Sequence, residues 1–298
     1  MPRKFIYLIN PISGTKDKDA VLELIKKRTL YEKIPFEVLA TVADGNYGFL
    51  LNKIRQEAIT DVIICGGDGT INKVTDAVKD SAVNIGIVPM GSGNGLALTA
   101  GIPADAGKAL DIIFAGKAAF VDGFYINKQF SCMLCGLGFD AQVAHDFAKQ
   151  SKRGLMTYVA QTIKNFFSAR PYQFVVHIKD LEIKTDAFFI SIANSNQFGN
   201  NVTIAPRASI SDGLLDIVIV NKMSKLRLLY SLTRQITAGK ITNTRKQYRG
   251  KDIFYFQVKK LDIDNIENAP LHIDGDPAET ASRFSVGIVE KAFKLLQP

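Results

Sequence analysis

The chain has 298 residues, of which 47% are hydrophobic and 22% charged, an ordinary globular composition with length enough for two domains. Lys and Arg number 37 against 29 Asp and Glu, and the net charge of +8 favours an anionic partner: a nucleotide, a nucleic acid or an acidic membrane surface. No apolar run approaches the roughly 18 residues of a membrane span, and the run before Asn10-Pro11 is too short for a signal-peptide core. A cytoplasmic protein is expected, soluble or peripheral on the inner face of the membrane.

The first 120 residues alternate strand and helix signals. "KFIYLIN" (4–10) is an apolar run stopped by "PISG", and a helix is expected over roughly 17–29, with Val21, Leu22 and Ile25 on one face. "FEVLA" (36–40), "DVIIC" (61–65) and "NIGIVP" (84–89) read as strands, while 47–58 and 70–79 read as helices. Short apolar strands separated by amphipathic helices predict an α/β domain with a parallel sheet covered on both faces.

Beyond about residue 120 strand-like stretches dominate, from "KAAFVDGFYI" and "QFSCMLCGLG" through "YQFVVHIKD", "LLDIVIVN" and "KLDIDN" to "RFSVGIV". Helices are expected near 141–149, 154–168 and 224–238. Strands in succession mean antiparallel pairing, so the second domain is expected to be β-rich. Cys132 and Cys135 form a C-x-x-C without a second pair. Read within one strand they point to opposite faces, as a buried structural pair rather than a redox or zinc site.

Three strand ends carry glycine turns. Gly66-Gly67-Asp68-Gly69-Thr70 follows one strand and opens a helix, so small residues let a ligand approach the backbone while free N–H groups face it. "VPMGSGNGLAL" (88–98) repeats the device, with Gly91, Gly93 and Gly95 in the turn and Asn94 placed to cap a helix. "NPISG" (10–14) ends the first strand in the same way. The carboxyl edge of a parallel sheet is where ligands bind. Phosphate suits the amides, and Asp68 suits phosphate only if it holds Mg²⁺, directly or through water. Neither G-x-x-x-x-G-K-[ST] nor G-x-G-x-x-G spacing is present.

Residues 217–251 contain nine Lys or Arg and no Asp or Glu, which accounts for the whole net excess. The plain reading is a solvated polar face; the sharper one is attraction of 222–251 to an anionic membrane, worth roughly 1 kcal/mol per basic residue. No aromatic platform is interleaved with these charges and no nucleic-acid module signature is present, so no nucleic-acid partner is expected.

In order and approximate spacing, "NPISG", "GGDGTIN", "PMGSGN", "GLGFDA" (136–141), "APRASISDGLLDI" (205–217) and "IDGD" (273–276) resemble the diacylglycerol kinase catalytic family, which includes sphingosine kinases and bacterial lipid kinases. The resemblance covers nearly the whole chain. It implies a Rossmann-like nucleotide-binding α/β domain over 1–121, to which the tail 289–298 returns, and a β-sandwich-like lipid domain over 122–288. It implies transfer of the γ-phosphate of ATP, with Mg²⁺, to the primary hydroxyl of a lipid such as diacylglycerol or a sphingoid base at a membrane surface. "GGDGT" also occurs in NAD kinases, so an NAD kinase-type enzyme and a non-catalytic nucleotide- or lipid-binding module are the alternatives.

By the same resemblance Asn10, Pro11, Ser13, Gly14, Thr41, Gly66, Gly67, Asp68, Gly69, Thr70, Asn72 and Ser92 are nucleotide contacts, and Gly91 and Asn94 lie in the same turn. Asp68 matches a carboxylate that reaches the active-site Mg²⁺, and Asp122 an acidic residue near the substrate. "SISDGLL" matches a second Mg²⁺ site, with the Asp212 side chain and the carbonyls of Ser209 and Leu214. The general base of the family is commonly Glu; here the matching residue is Asp276, one methylene shorter, with Asp274 and Glu279 as the other carboxylates at hand.

Overall fold

The computed structural model of the chain describes residues 2–14, 17–150, 155–197, 203–224, 248–249 and 252–298. They form two compact units, Met1–Val121 with Lys291–Pro298, and Asp122–Glu290. Among the described residues no helix is long and apolar enough to cross a membrane.

In the first unit β1 (Phe5–Ile9), β2 (Phe36–Ala40), β3 (Asp61–Gly66) and β4 (Asn84–Pro89) form a parallel sheet in the order β4-β3-β1-β2. The register sets Tyr7 opposite Val38 and Ile63, and Ile63 opposite Gly86. Phe5, Ile6, Tyr7 and Leu8 are all buried, as a strand covered on both faces requires. Helices α1 (Lys18–Tyr31), α2 (Phe49–Glu57), α3 (Asp68–Val78), α4 (Gly95–Thr99) and α5 (Ala106–Ala115) follow the strands. Val21 and Ile25 of α1 and Leu110 and Ile113 of α5 join Phe5, Tyr7 and Ile63 in one core. Burying each such side chain contributes about 1.5–3 kcal/mol. At the opposite end of the strands Arg3 clamps the buried Asp61 carboxylate through two bonds of 2.8 and 3.1 Å, and Asn84 adds a third of 3.0 Å. That network ties the starts of β1, β3 and β4 and leaves their carboxyl ends open for other work.

Helix α5 was not expected from the sequence. Asp105 caps it by accepting from Lys108 N, and Ala109, Leu110 and Ile113 form its buried face.

The second unit contains most of β5 (Ala118–Ile126), then β6 (Gln129–Ser131), β7 (Leu134–Gly138), α6 (Phe139–Ala148), α7 (Leu155–Ser168), β8 (Tyr172–Ile178), β9 (Leu181–Ala193), β10 (Leu215–Asn221), β11 (Tyr248–Arg249), β12 (Ile253–Val258), β13 (Lys260–Asn265), β14 (Leu271–Ile273) and β15 (Asp276–Ala278). Its strand pairs are antiparallel, and β9 is the hub. The first half of β9 pairs with β8, and its second half lies between β7 and β10. Phe174, Ile190, Ile192, Ile217, Ile263 and Phe284 are among the residues of the core between these strands. The last strand, β16 (Arg283–Leu296), begins in this unit, with Phe284 opposite Ile263 of β13, and ends in the first, with Leu295 opposite Ile85 of β4.

The stretch 129–138 is not the single strand expected around the two cysteines. It breaks into β6 and β7 at Cys132-Met133, because the amides of Cys132, Met133 and Leu134 all turn toward the Asp274 carboxylate. Cys132 and Cys135 are buried and unbridged. The helix expected over 224–238 lies outside the described residues apart from Ser224, as does the basic stretch 222–251 apart from 222–224 and the strand β11.

Candidate active site

The three glycine turns stand side by side at the carboxyl ends of the adjacent strands β1, β3 and β4. Asn10 Nδ2 donates to Thr70 Oγ1 at 2.8 Å, and Met90 N donates to Gly66 O at 2.9 Å, so each turn is bonded to its neighbour. The glycines permit this approach. A Cβ on Gly91 would lie 2.5 Å from Gly67 Cα, and one on Gly14, where φ is +54°, would lie 2.0 Å from Met90 O. Ser13 closes the first turn through bonds from its N and Oγ to Asn10 O. Pro11 and Ser92 are exposed in their turns, and Gly69 and Asn72 lie on the first turns of α3.

Two expected details differ. Asn94 does not cap a helix with its side chain. It adopts a left-handed backbone with φ +53° and closes its own turn, accepting from Gly91 N and donating to Gly91 O at 2.9 Å each. The cap of α4 comes from Asp68, whose carboxylate accepts from Gly95 N at 3.1 Å and Leu96 N at 3.4 Å. Asp68 therefore bridges the β3 and β4 turns. Beside them Thr41 N donates to Ile9 O at 3.0 Å, and a surface pocket follows, lined by Val42, Ala43, Asp44, Asn46 and Phe49. Burial raises the Tyr47 hydroxyl above its ordinary value, against the lowering effect of its bonds to Thr41 and Val42.

The second unit holds the remaining predicted residues in two clusters. In the first, Asp122 N donates to Ile210 O at 2.7 Å and the Asp122 carboxylate accepts from Gly213 N at 2.8 Å, so β5 is stitched to the loop before β10. Asp212 lies in that loop and accepts from Leu214 N at 3.1 Å. Burial and then the charge of Asp122 push the Asp212 carboxyl above its ordinary value, with the Leu214 amide acting against them. Next along β10, Asp216 is pushed up to about 6, chiefly by burial, while Tyr255 and Gln257 donate to it.

The other cluster is the β14–β15 hairpin. Asp274 and Gly275, at φ +49° and +87°, form its two-residue loop, with Ile273 opposite Asp276. The buried Asp274 carboxylate accepts from Ser131 Oγ at 2.6 Å and from the amides of Cys132, Met133 and Leu134 at 3.0–3.1 Å. Asp274 is therefore committed to holding the β6–β7 connection and is not available as a base. Asp276 and Glu279 are exposed. Beside this loop lies a buried pair that the motifs do not announce, His272 and Asp140: Asp140 falls inside "GLGFDA" and His272 immediately precedes "IDGD", and the one signal for them is a His and an Asp among apolar neighbours.

A hard cation fits the first cluster. Its donors are carboxylate and carbonyl oxygens, and a positive charge there relieves the Asp212 carboxylate of the penalty that burial and the neighbouring Asp122 charge place on it. Asp212, with the carbonyls of Ser209 and Leu214, would hold it. Asp68, whose carboxylate accepts from two amides of α4, is an oxygen donor of the kind that suits a hydrated cation.

Residues 4–126 match the family model of the diacylglycerol kinase catalytic domain, and residues 134–296, more than half of the chain, match that of the YegS C-terminal NAD kinase beta sandwich-like domain. Curated relatives include "Probable lipid kinase YegS-like" of Chromohalobacter salexigens, 28% identical over 78% of this chain and 75% of that protein. "Probable lipid kinase YegS" of Escherichia fergusonii is 26% identical over 90% of this chain and 88% of its own length. A crystal structure of a diacylglycerol kinase from Bacillus anthracis aligns with 99% of this chain and 97% of its own, at 18% identity and a TM-score of 0.73, which speaks for the fold alone. With both domain models matched in order, the chain belongs to the diacylglycerol kinase catalytic family, in the form that carries a YegS-type C-terminal domain, and is an enzyme of the lipid kinase class.

Proposed function

We propose that the protein transfers the γ-phosphate of ATP to the primary hydroxyl of a lipid such as diacylglycerol or a sphingoid base. The observation that carries the donor half is the bonding of three glycine turns at one sheet edge, with Gly67 and Gly91 too close for any side chain between them. Amides at such a rim, next to the N-terminus of α3, favour a polyphosphate. Thr41 and the pocket from Val42 to Phe49 lie beside the rim, at the place for the nucleoside.

In this reading Asp276 accepts the proton of the lipid hydroxyl as its oxygen bonds the γ-phosphorus and the bond to the bridging β,γ-oxygen breaks, leaving ADP. Asp276 is the carboxylate of its hairpin that is exposed, where Asp274 is enclosed by donors. Mg²⁺ would neutralise phosphate charge near Asp68 and brace the Asp212 loop. Asp122 then supports that loop through Gly213 N. The acceptor draws the enzyme to a membrane surface, and the basic stretch 222–251 is the candidate contact.

Incubation with γ-labelled ATP and mixed micelles of dioleoylglycerol, sphingosine or ceramide tests the reading. Label in an organic-extractable product supports it. Label in NADP when NAD is supplied, or no turnover of any alcohol with ATP binding intact, overturns it.

A further inference from the structure

The hairpin that carries Asp276 is anchored from two sides. One anchor is Asp274, with four donors on its carboxylate. The other is His272, and nothing in the reaction described so far uses it. We propose that Asp140 and His272 form a buried positioning dyad that fixes the Asp274-Gly275 loop, and with it the direction in which Asp276 leaves the hairpin. The proposal rests on the reading of Asp276 as the base.

Three observations converge on the dyad. His272 Nδ1 accepts from Gly275 N at 3.3 Å, so this nitrogen must carry a lone pair. The ring proton is then on Nε2, which faces Asp140 Oδ2 at 3.5 Å. That carboxylate oxygen has no hydrogen-bond partner at closer range among the described residues, while its twin accepts from Ala141 N at 2.8 Å. The side chains are 2% and 8% exposed, so water does not compete for the contact. A carboxylate on the far side of an imidazole fixes its tautomer and ring orientation.

Gly136 supplies the room. It lies directly opposite His272 across the β7–β14 pair. A Cβ there would fall 1.9 Å from Asp140 Oδ2 and 2.5 Å from His272 Nε2. The motif "GLGFDA" and the stretch "HIDGD" (272–276) are thus halves of one device: glycine opens a slot in β7, the first turn of α6 supplies the carboxylate, and β14 supplies the imidazole. The other titratable groups facing this slot have their own tasks. His145 of α6 bonds Leu271 O at 2.8 Å. The Cys135 thiol is pushed far up by burial and by the charges of Asp274 and Asp140.

The test uses the full chain with three variants. His272→Asn keeps an acceptor near the Nδ1 position; His272→Gln places its amide at the Nε2 level and removes that acceptor. Asp276→Asn tests the base on its own. With dioleoylglycerol micelles, His272→Gln is expected to lower kcat about tenfold with KM for ATP unchanged, and His272→Asn, which keeps an acceptor for Gly275 N but loses the contact with Asp140, to recover only part of the loss; full recovery in His272→Asn overturns the part given to Asp140. Hydrogen exchange of a peptide spanning residues 273–277 is expected to quicken about tenfold in His272→Gln and by less than that, though measurably, in His272→Asn. Wild-type exchange in His272→Gln overturns the dyad, whatever the activity. If His272→Gln does not fold, ring nitrogen NMR of the wild-type chain decides: Nε2–H with bare Nδ1 on His272 supports the proposal, and Nδ1–H overturns it. Wild-type turnover in Asp276→Asn removes the base assignment, while the exchange and NMR results still judge the anchoring of the loop.

Discussion

At the strand ends of the first unit the polar groups gathered at the rim are backbone amides, brought together by glycines that leave no side chain between Gly67 and Gly91. In the second unit the corresponding clusters are built from carboxylates: Asp122 of β5 with Asp212 in one, Asp274 with Asp276 of β15 in the other. Amide rims disperse an extended anionic charge, while carboxylates take up protons or cations. The carboxylate that does stand in the amide rim, Asp68, is bonded to two amides of α4 and acts as a clasp between turns. In the proposed reaction the two units thus differ in chemistry, one suited to the donor and the other to proton and metal.

The contrast is sharpest within one hairpin, between Asp274 and Asp276. Asp276→Asn is expected to lower kcat by about 10²–10⁴-fold, the usual worth of a general base, with ATP affinity and melting temperature unchanged. Near wild-type turnover would break the division. Asp274→Asn is expected to behave in the opposite way. A charged acceptor with four donors is lost, and hydrogen bonds to charged groups contribute about 1.5–3 kcal/mol each. The melting temperature should fall by several degrees, and activity should fall only as far as the folded fraction does. A variant that melted as wild type but lost turnover would make Asp274 the base instead.

Gly91→Ala probes the amide side. Its Cβ would meet Gly67 Cα at 2.5 Å and Asn94 Oδ1 at 2.9 Å, so the turns must separate. Overpacking costs about 1–3 kcal/mol, which in binding terms is a rise in KM for ATP of about 5–150-fold. Steady-state kinetics at saturating lipid measures it, and an unchanged KM would place the nucleotide elsewhere.

The strands of the first unit were legible because all are short apolar runs and three of the four are ended by Gly or Pro, as "DVIICGG" and "NIGIVPMG" show. So was the meeting of the turns, since adjacent parallel strands must end at one edge. What the sequence concealed depends on long-range partners. The break at Cys132-Met133 is made by Asp274, about 140 positions away, and no local propensity announces it. The cap of α4 comes from Asp68 because Asn94 is turned back on Gly91, a choice that φ +53° decides and the residue type alone does not. The Asp140–His272 pair depends on the register between β7 and β14 and on the missing Cβ of Gly136.

The smallest expected effect concerns the cation. With no metal bound, burial penalises the charge of Asp212, and the neighbouring Asp122 carboxylate adds to that penalty. A cation that binds only the folded chain adds stability by mass action, about 2.7 kcal/mol at 100 times its dissociation constant. For a chain of this size that is a rise in melting temperature on the order of 5 °C. Asp212→Asn removes one of the two like charges together with the proposed ligand. The metal-free variant should therefore melt no lower than wild type, and added Mg²⁺ should no longer raise its melting temperature. A full Mg²⁺-dependent rise in Asp212→Asn would move the stabilising cation out of the 209–214 loop and leave its carboxylates with a purely structural part.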